Sequence, residues 1–208
     1  MHEKVLPRGS LQLLDALERL QTSALSGWVL AGGTGLALQL GHRVSEDFDF
    51  FRTDDFDLAR LRDALTKLGS FETLRESDRD LTALVLGVKL AFFLVSEPFV
   101  HPPLPWRFAH VAAEGDIALM KLVAISSRGS RRDFVDLYSI LRSGPRLEDL
   151  FRDLPAKYGK GRVNTYHVLK SLAYFDDAER EPMPQMLQPF DWAECKAFFL
   201  RQALAIVL

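Results

Sequence analysis

Asp47 and Asp49 stand one residue apart in the run Asp47-Phe48-Asp49-Phe50-Phe51. On an extended strand alternate side chains leave opposite faces, so both carboxylates share one face while Phe48 and Phe50 turn to the other, into a core. Two carboxylates on one face repel unless a cation lies between them, and hard oxygen donors suit a divalent ion such as Mg²⁺. Upstream, Gly32 and Gly33 end an apolar run and Thr34 opens a helical segment. Glycine lets a ligand approach the backbone, and the free N–H groups at a helix start attract phosphate. Thirteen residues (34–46) lie between Gly33 and Asp47. That is room for one short helix and a return strand, which brings the helix start and the carboxylates to one end of a sheet. Together they are the equipment for a nucleotide and its magnesium. The plain alternatives are a tight turn at the glycines and a solvated edge strand for the two acids.

Other candidates lie downstream. Lys121 interrupts the apolar stretch Ile117 to Ile125 and must either snorkel to water or meet an anion. Asp133 and Asp136 are i, i+3 on one helix face, with Phe134, Val135, Leu137 and Ile140 supplying core. These carboxylates either face the site or pair with Arg128, Arg131 and Arg132, which are near in sequence. The same arginines could meet an RNA backbone or stay solvated. The five histidines form no metal-ligand pattern, and His42 reads as a turn residue. No Ser/His/Asp triad is present, and Cys195 reads as core packing.

A chain of 208 residues makes one domain or a compact pair of subdomains, and its 48% apolar content suffices for a real core. The net charge of −2 argues against a protein that coats nucleic acid by bulk electrostatics, though it leaves room for a local basic groove. A single cysteine rules out an internal disulfide and a cysteine-built zinc site, and points to a reducing compartment. The N-terminal stretch lacks an apolar signal region, and Leu81 to Val95 is broken by Lys89 and too short to span a bilayer. A soluble, cytoplasmic protein with no membrane association is expected.

The elements that must position these residues follow from periodicity and punctuation. Ser10 is a candidate cap for a helix over 10–25; a strand over 28–31 and a helix over 34–40 stopped by Gly41 follow. A second strand covers 47–52, and Asp55 or Asp57 caps a helix that Gly69 ends. Strands over 71–77, 81–86 and 88–95 come next, the last two as a hairpin. The four prolines between Glu97 and Trp106 predict a loop, where a subdomain boundary is expected. Beyond it, helices are expected over 115–127, 131–141, 147–157, 164–175 and 192–207, with a proline-rich connector over 181–189. The fold class is α+β: a core over 1–110 with a mixed or antiparallel sheet, then a C-terminal helical subdomain over 111–208 packed on it.

Gly32-Gly33-Thr34, the segment Gly41 to Ser45 and the run from Asp47 to Phe51 together resemble the AbiEii/AbiGii family of nucleotidyltransferase toxins, within the polymerase β-like superfamily. The resemblance resumes in Asp116 to Ile125 and in Arg128 and Arg131 to Tyr138, so it spans roughly residues 28 to 141. It implies a polymerase β-like core in which Asp47 and Asp49 hold Mg²⁺ (or Mn²⁺) and the nucleoside triphosphate. Gly32, Gly33 and Thr34 would grip the phosphates, with Ser45 and Arg43 lining the pocket. Lys121 would reach the triphosphate, and Asp133 with Asp136 would complete the helical side. The superfamily's third carboxylate on a later strand has no counterpart between Leu81 and Val95, where Lys89, Ala91 and Phe93 share the face that passes the site. Either Asp133 or Asp136 supplies it, or two suffice. The implied activity moves an NMP from an NTP to an acceptor hydroxyl, an RNA end such as the tRNA 3′ end, in a toxin–antitoxin or phage-defence system with a cognate antitoxin. Alternatives are a nucleotide-binding regulator without chemistry and a small-molecule nucleotidyltransferase of the aminoglycoside-modifying type.

Overall fold

The computed structural model describes residues 1–206. Seven strands, β1 (Val29–Ala31), β2 (Phe48–Arg52), β3 (Phe71–Glu76), β4 (Asp80–Val85), β5 (Val88–Leu94), β6 (Leu104–Trp106) and β7 (Ala109–Val111), form one mixed sheet. Their order is β3-β4-β5-β2-β1-β7-β6. β2 runs parallel to β5 and β1 parallel to β7, while the other neighbours are antiparallel. The expected β4–β5 hairpin is present; Leu86 and Gly87 both have positive φ (52° and 80°), the turn that matches strand twist.

Helices α1 (Arg8–Arg19), α2 (Gly32–Leu40) and α3 (Leu58–Thr66) belong to the first half of the chain. The second half supplies α4 (Glu114–Arg128), α5 (Arg131–Ser143), α6 (Leu147–Tyr158), α7 (Thr165–Ser171), α8 (Asp176–Arg180) and α9 (Trp192–Ala205). The α+β class is therefore as expected.

Several boundaries differ from the sequence-based expectation. The 97–106 segment is not all loop, because Leu104–Trp106 pairs with Ala109–Val111. Pro105 is tolerated there because β6 is a short edge strand, where a missing N–H leaves no ladder bond unmade. Ser10 lies inside α1 rather than capping it, and its buried hydroxyl donates to the Glu46 carbonyl at 3.0 Å. That helix stops at Arg19 because Gln21 takes a left-handed φ of 44°, and Thr22 caps a separate turn over Ser23–Leu25. Asp57, of the two candidates, caps α3. The helix expected over 164–175 is shorter, Thr165–Ser171 capped by Asn164, and a separate short helix follows it at Asp176–Arg180. α9 ends at Ala205, and Val207 of the expected helix lies outside the described residues.

The two faces of the sheet have different cover. Leu30, Phe48, Phe50, Leu90 and Phe92 turn to one face and pack beneath α1 and α3 against Leu13, Leu17, Leu61 and Leu65. Phe50 stacks on Phe92 at 5.1 Å and Trp28 meets Phe92 edge-on at 4.9 Å. On the other face, Val29 and Ala31 of β1 pack with Leu36 and the helices of the second half. Asp49 of β2 lies on this second face, and Asp47 just before the strand shares it. Among the described residues no helix is long and apolar enough to cross a membrane.

Asp116, at the start of α4, holds the preceding loop in place. Its carboxylate accepts the N–H groups of Val100 (2.9 Å) and His101 (2.8 Å) and the Lys157 ammonium of α6 (2.9 Å). Lys157 also donates to the Pro98 carbonyl and sits 4.8 Å over the Phe99 ring. Asp116→Ala leaves that lysine buried without its counter-ion, so chemical denaturation should show a loss of about 3–5 kcal/mol. The exposed Asp149–Arg152 pair sets the comparison: Asp149→Ala should cost less than about 1 kcal/mol.

Candidate active site

Asp49 sits on β2 with Ala31 of β1 and Ala91 of β5 as its register partners. Alanine on both sides leaves room over the carboxylate for a ligand. Asp47 lies just before β2 and 3.5 Å from the Lys89 ammonium, the side chains being 39% and 42% exposed. Burial pushes the Asp49 carboxyl above the usual carboxylate range, the Lys89 charge opposes the rise and Asp47 adds to it. Burial thus outweighs the opposing charges of Lys89, Lys121 and Arg128 at Asp49.

The glycines are fixed by their neighbours. A Cβ on Gly32, where φ is +62°, would lie 2.9 Å from Asp49 Oδ2. A Cβ on Gly33 would lie 2.2 Å from Arg43 Nη2 and 3.5 Å from Ser45 Oγ. Only glycine lets the start of α2 pack against both the carboxylate strand and the guanidinium. α2 begins at Gly32 rather than Thr34 because this left-handed residue turns the chain from β1 straight into the helix. The Thr34 hydroxyl donates to the Asp47 carbonyl, and the Ser45 hydroxyl donates to Thr34 Oγ1 at 2.7 Å. These two side chains therefore lock the first turn of α2 to the strand. The candidate phosphate seat is the set of backbone N–H groups at the start of α2.

Beneath the seat lies a buried ion network. Asp136 accepts from Arg43 Nε (2.6 Å) and Nη2 (2.8 Å), from Lys121 Nζ (2.6 Å) and from His42 Nε2 (2.9 Å). Asp133 accepts from Lys121 Nζ (2.8 Å) and twice from Arg128 (2.7 and 2.9 Å). Burial opposes ionisation of Asp136, but Lys121 and Arg43 outweigh it and hold the carboxyl well below the usual range. Asp133 is held low in the same way, by Lys121 and Arg128 against burial. Burial also works against the Lys121 charge, which Asp136 and Asp133 nevertheless stabilise.

This arrangement places several of the sequence candidates. Asp133 and Asp136 are fully buried and committed to cations, so neither stands as a third metal carboxylate. Arg43 gives Nε and Nη2 to Asp136 and Nη1 to the Val44 carbonyl, which leaves it behind the phosphate seat rather than lining it. Lys121, 5% exposed, is likewise one layer below. His42, expected in a turn, is buried on Asp136, and its Nδ1 has no partner. The cluster of Arg43, Lys121 and Arg128 against Asp133 and Asp136 still carries one positive charge in excess. That excess sits beneath an anion seat.

The three arginines divide. Arg128 keeps 63% of its side chain exposed, and Arg132 is exposed. Arg131 instead donates to Ala178 and Glu179 and stacks over Trp192 at 4.9 Å, tying α5 to α8 and α9. The sequence pattern puts Lys89 on the face that passes the site but gives it no role there. Its alternation with Leu90 and Phe92 is legible, whereas its place opposite Asp47 depends on the parallel β2–β5 register.

Mg²⁺ is typically held by one or two carboxylates with substrate phosphates completing its shell. Asp47 and Asp49, with alanines beside Asp49 and a glycine-cleared carboxylate oxygen, fit that donor set. Among the described residues no group of three His, Cys, Asp or Glu side chains forms a cage.

Asp136→Asn removes the anion that three cationic or polar side chains share, and should lower stability by about 3–5 kcal/mol. A depressed folded pKa stabilises only above the unfolded value, near pH 4, and the gain disappears as pH falls through the folded value. The gap between the two proteins in urea titrations should therefore be widest at neutral pH and narrow progressively as pH falls below about 4. An equal gap at pH 7 and pH 3 would contradict the network's role.

Residues 15–92 match the model of the nucleotidyl transferase AbiEii toxin of type IV toxin–antitoxin systems. An uncharacterized protein of Aquifex aeolicus is 36% identical over 194 residues, which cover 90% of this chain and 92% of that one. The fold is shared with JHP933 from Helicobacter pylori (TM-score 0.54, 20% identity, 96% of this chain and 92% of that one). It is also shared with MenT4, a nucleotidyltransferase toxin of Mycobacterium tuberculosis (TM-score 0.56, 21% identity, 95% and 82%). The strand carboxylates, the glycine turn that fits against them and these matches agree: the chain belongs to the AbiEii family of nucleotidyl transferase toxins.

Proposed function

We propose that this nucleotidyltransferase moves an NMP from a nucleoside triphosphate to a hydroxyl at an RNA end, such as the 3′ end of a tRNA. The observation that carries the reading is the placing of Asp47 and Asp49 against the Gly32–Thr34 turn. In this reading the N–H groups at the start of α2 donate to phosphate oxygens, and the positive excess beneath them favours the anion. Arg43 and Lys121 act as positioning residues, since they support the turn from behind. Asp47 and Asp49 would hold Mg²⁺ or Mn²⁺, whose chemistry is to neutralise charge developing on the transferred group and the leaving pyrophosphate. Lys89 adds a fixed positive charge on the same face. Arg128 and Arg132 would meet the acceptor backbone. The biological outcome would be growth arrest or phage defence in the cytoplasm, controlled by a cognate antitoxin.

The decisive assay incubates the protein with each labelled NTP and total RNA in Mg²⁺. Asp47→Ala combined with Asp49→Ala should remove transfer while the fold persists by circular dichroism. Undiminished labelling by that double variant would overturn the reading. Nucleotide binding by the unaltered protein without transfer to any acceptor would instead favour a regulator, a reading that the commitment of Asp133 and Asp136 to cations supports.

Gly32→Ala tests the turn. The new Cβ meets Asp49 Oδ2 and strains a positive-φ position, so stability should fall by about 1–3 kcal/mol. Displacing the carboxylate should lower the transfer rate on the order of 10²-fold. The same assay, scored beside thermal unfolding, separates the two effects.

A further inference from the structure

The sheet face that carries the carboxylates continues beyond them. Phe51 follows Asp49 by two residues on β2, and Phe93 is its register partner on β5. The two rings lie 5.2 Å apart, tilted by 30°. Two strand residues span about 7 Å, so the rings begin one repeat from the carboxylate. Against Phe51, though not Phe93, is a cavity of about 110 Å³ with a mainly apolar lining that includes Phe99, Met120 and Tyr158 and with Glu97 and Lys157 as its charged members. The loop bearing Phe99 is the one that Asp116 clamps, and Met120 adjoins Lys121 on α4. Phe51 packs partly against the helical core, whereas Phe93 packs into neither core. Phe93 is half-buried, so part of its ring stays accessible beside the charged centre.

Order along the face decides which ligand. The phosphate seat lies at the Asp47 end, where Thr34 and Ser45 close on that residue. The carboxylates come next and the aromatic pair last. In phosphoryl-type transfer the attacking and leaving oxygens are roughly in line across the phosphorus. With pyrophosphate leaving toward the α2 seat, the attacking hydroxyl must arrive from the opposite side, past Phe51 and Phe93. The donor's own sugar branches off that axis. What arrives from that side and prefers two aromatic faces to water is a planar heterocycle next to its hydroxyl.

Resting on the nucleotidyl-transfer reading, we propose that Phe93 and Phe51 form the acceptor subsite, which stacks the terminal base of a single-stranded nucleic-acid end. Phe99, Met120 and Tyr158 close its far wall, and Glu97 can accept a hydrogen bond from an exocyclic amine of the base. An acceptor without an aromatic ring, such as an aminoglycoside, gains nothing from this slot.

The test uses the full chain and a fluorescent single-stranded oligoribonucleotide with a free 3′ end. Phe93→Ala should weaken its binding about 5- to 100-fold, the range expected for one lost base stack. Phe93→Trp should restore it, and binding of each Mg-NTP should not change in either variant. An oligoribonucleotide whose 3′-terminal nucleotide lacks its base should bind the unaltered protein and Phe93→Ala alike. Because Phe93 is half-buried and contacts only the Phe51 ring among the paired aromatics, the unfolding midpoint should fall only slightly, and the Trp variant guards against a folding artefact. Loss of Mg-NTP binding with the oligoribonucleotide unaffected would assign the slot to the donor base and overturn the proposal. Unchanged binding of both would refute a base subsite here while leaving the transfer reading intact. If the unaltered protein bound no Mg-NTP at all, the transfer reading itself would fail.

Discussion

Five buried or partly buried charges hold the two halves of the molecule in register. Asp136 and Asp133 on α5 bind Lys121 of α4, Arg128 at its end and Arg43 from the segment between α2 and β2. Charges taken out of water are tolerable only when each finds partners with good geometry, and here both carboxylates are satisfied by several donors. The phosphate turn depends on this arrangement directly. The Arg43 guanidinium that Asp136 fixes occupies the space where Gly33 would otherwise carry a Cβ. The second half of the chain therefore shapes the anion seat of the first without contributing a group to its surface.

Carboxylates of one residue type thus take two roles set by surroundings. Asp133 and Asp136 are over-supplied with positive charge, so their carboxyls are held low and stay ionised as fixed counter-ions. Asp49 is buried with too little compensation, and its carboxyl is pushed up. An under-compensated acid on an open sheet face costs folding energy and is the one that a cation relieves. The charged end of that face passes into aromatic side chains within one strand repeat.

Local chemistry explains which features are legible in the amino-acid order. The alternation of acids and phenylalanines around Asp47 and Asp49, the glycine pair and the amphipathic spacing of α3 to α5 are short-range patterns, and all of them appear in the fold. The edge hairpin around Pro105 is hidden because proline reads as loop, and only its place at the end of the sheet permits it. The fates of Lys121, Asp133 and Asp136 stay open at the level of sequence. A lysine in an apolar run looks the same whether its partner is a substrate or an aspartate twelve residues on.

The sequence by itself determined the α+β pattern, the shared face of the two strand acids and the family, because these follow from periodicity, glycine positions and motif spacing. That Arg43 and Lys121 stand behind the start of α2 and that Lys89 faces Asp47 emerges from tertiary contacts alone. So does the extension of the same face by Phe51 and Phe93. Each of these outcomes depends on which segments, distant in the chain, come into register, and packing across a parallel strand pair and a buried ion network has no signature in local sequence.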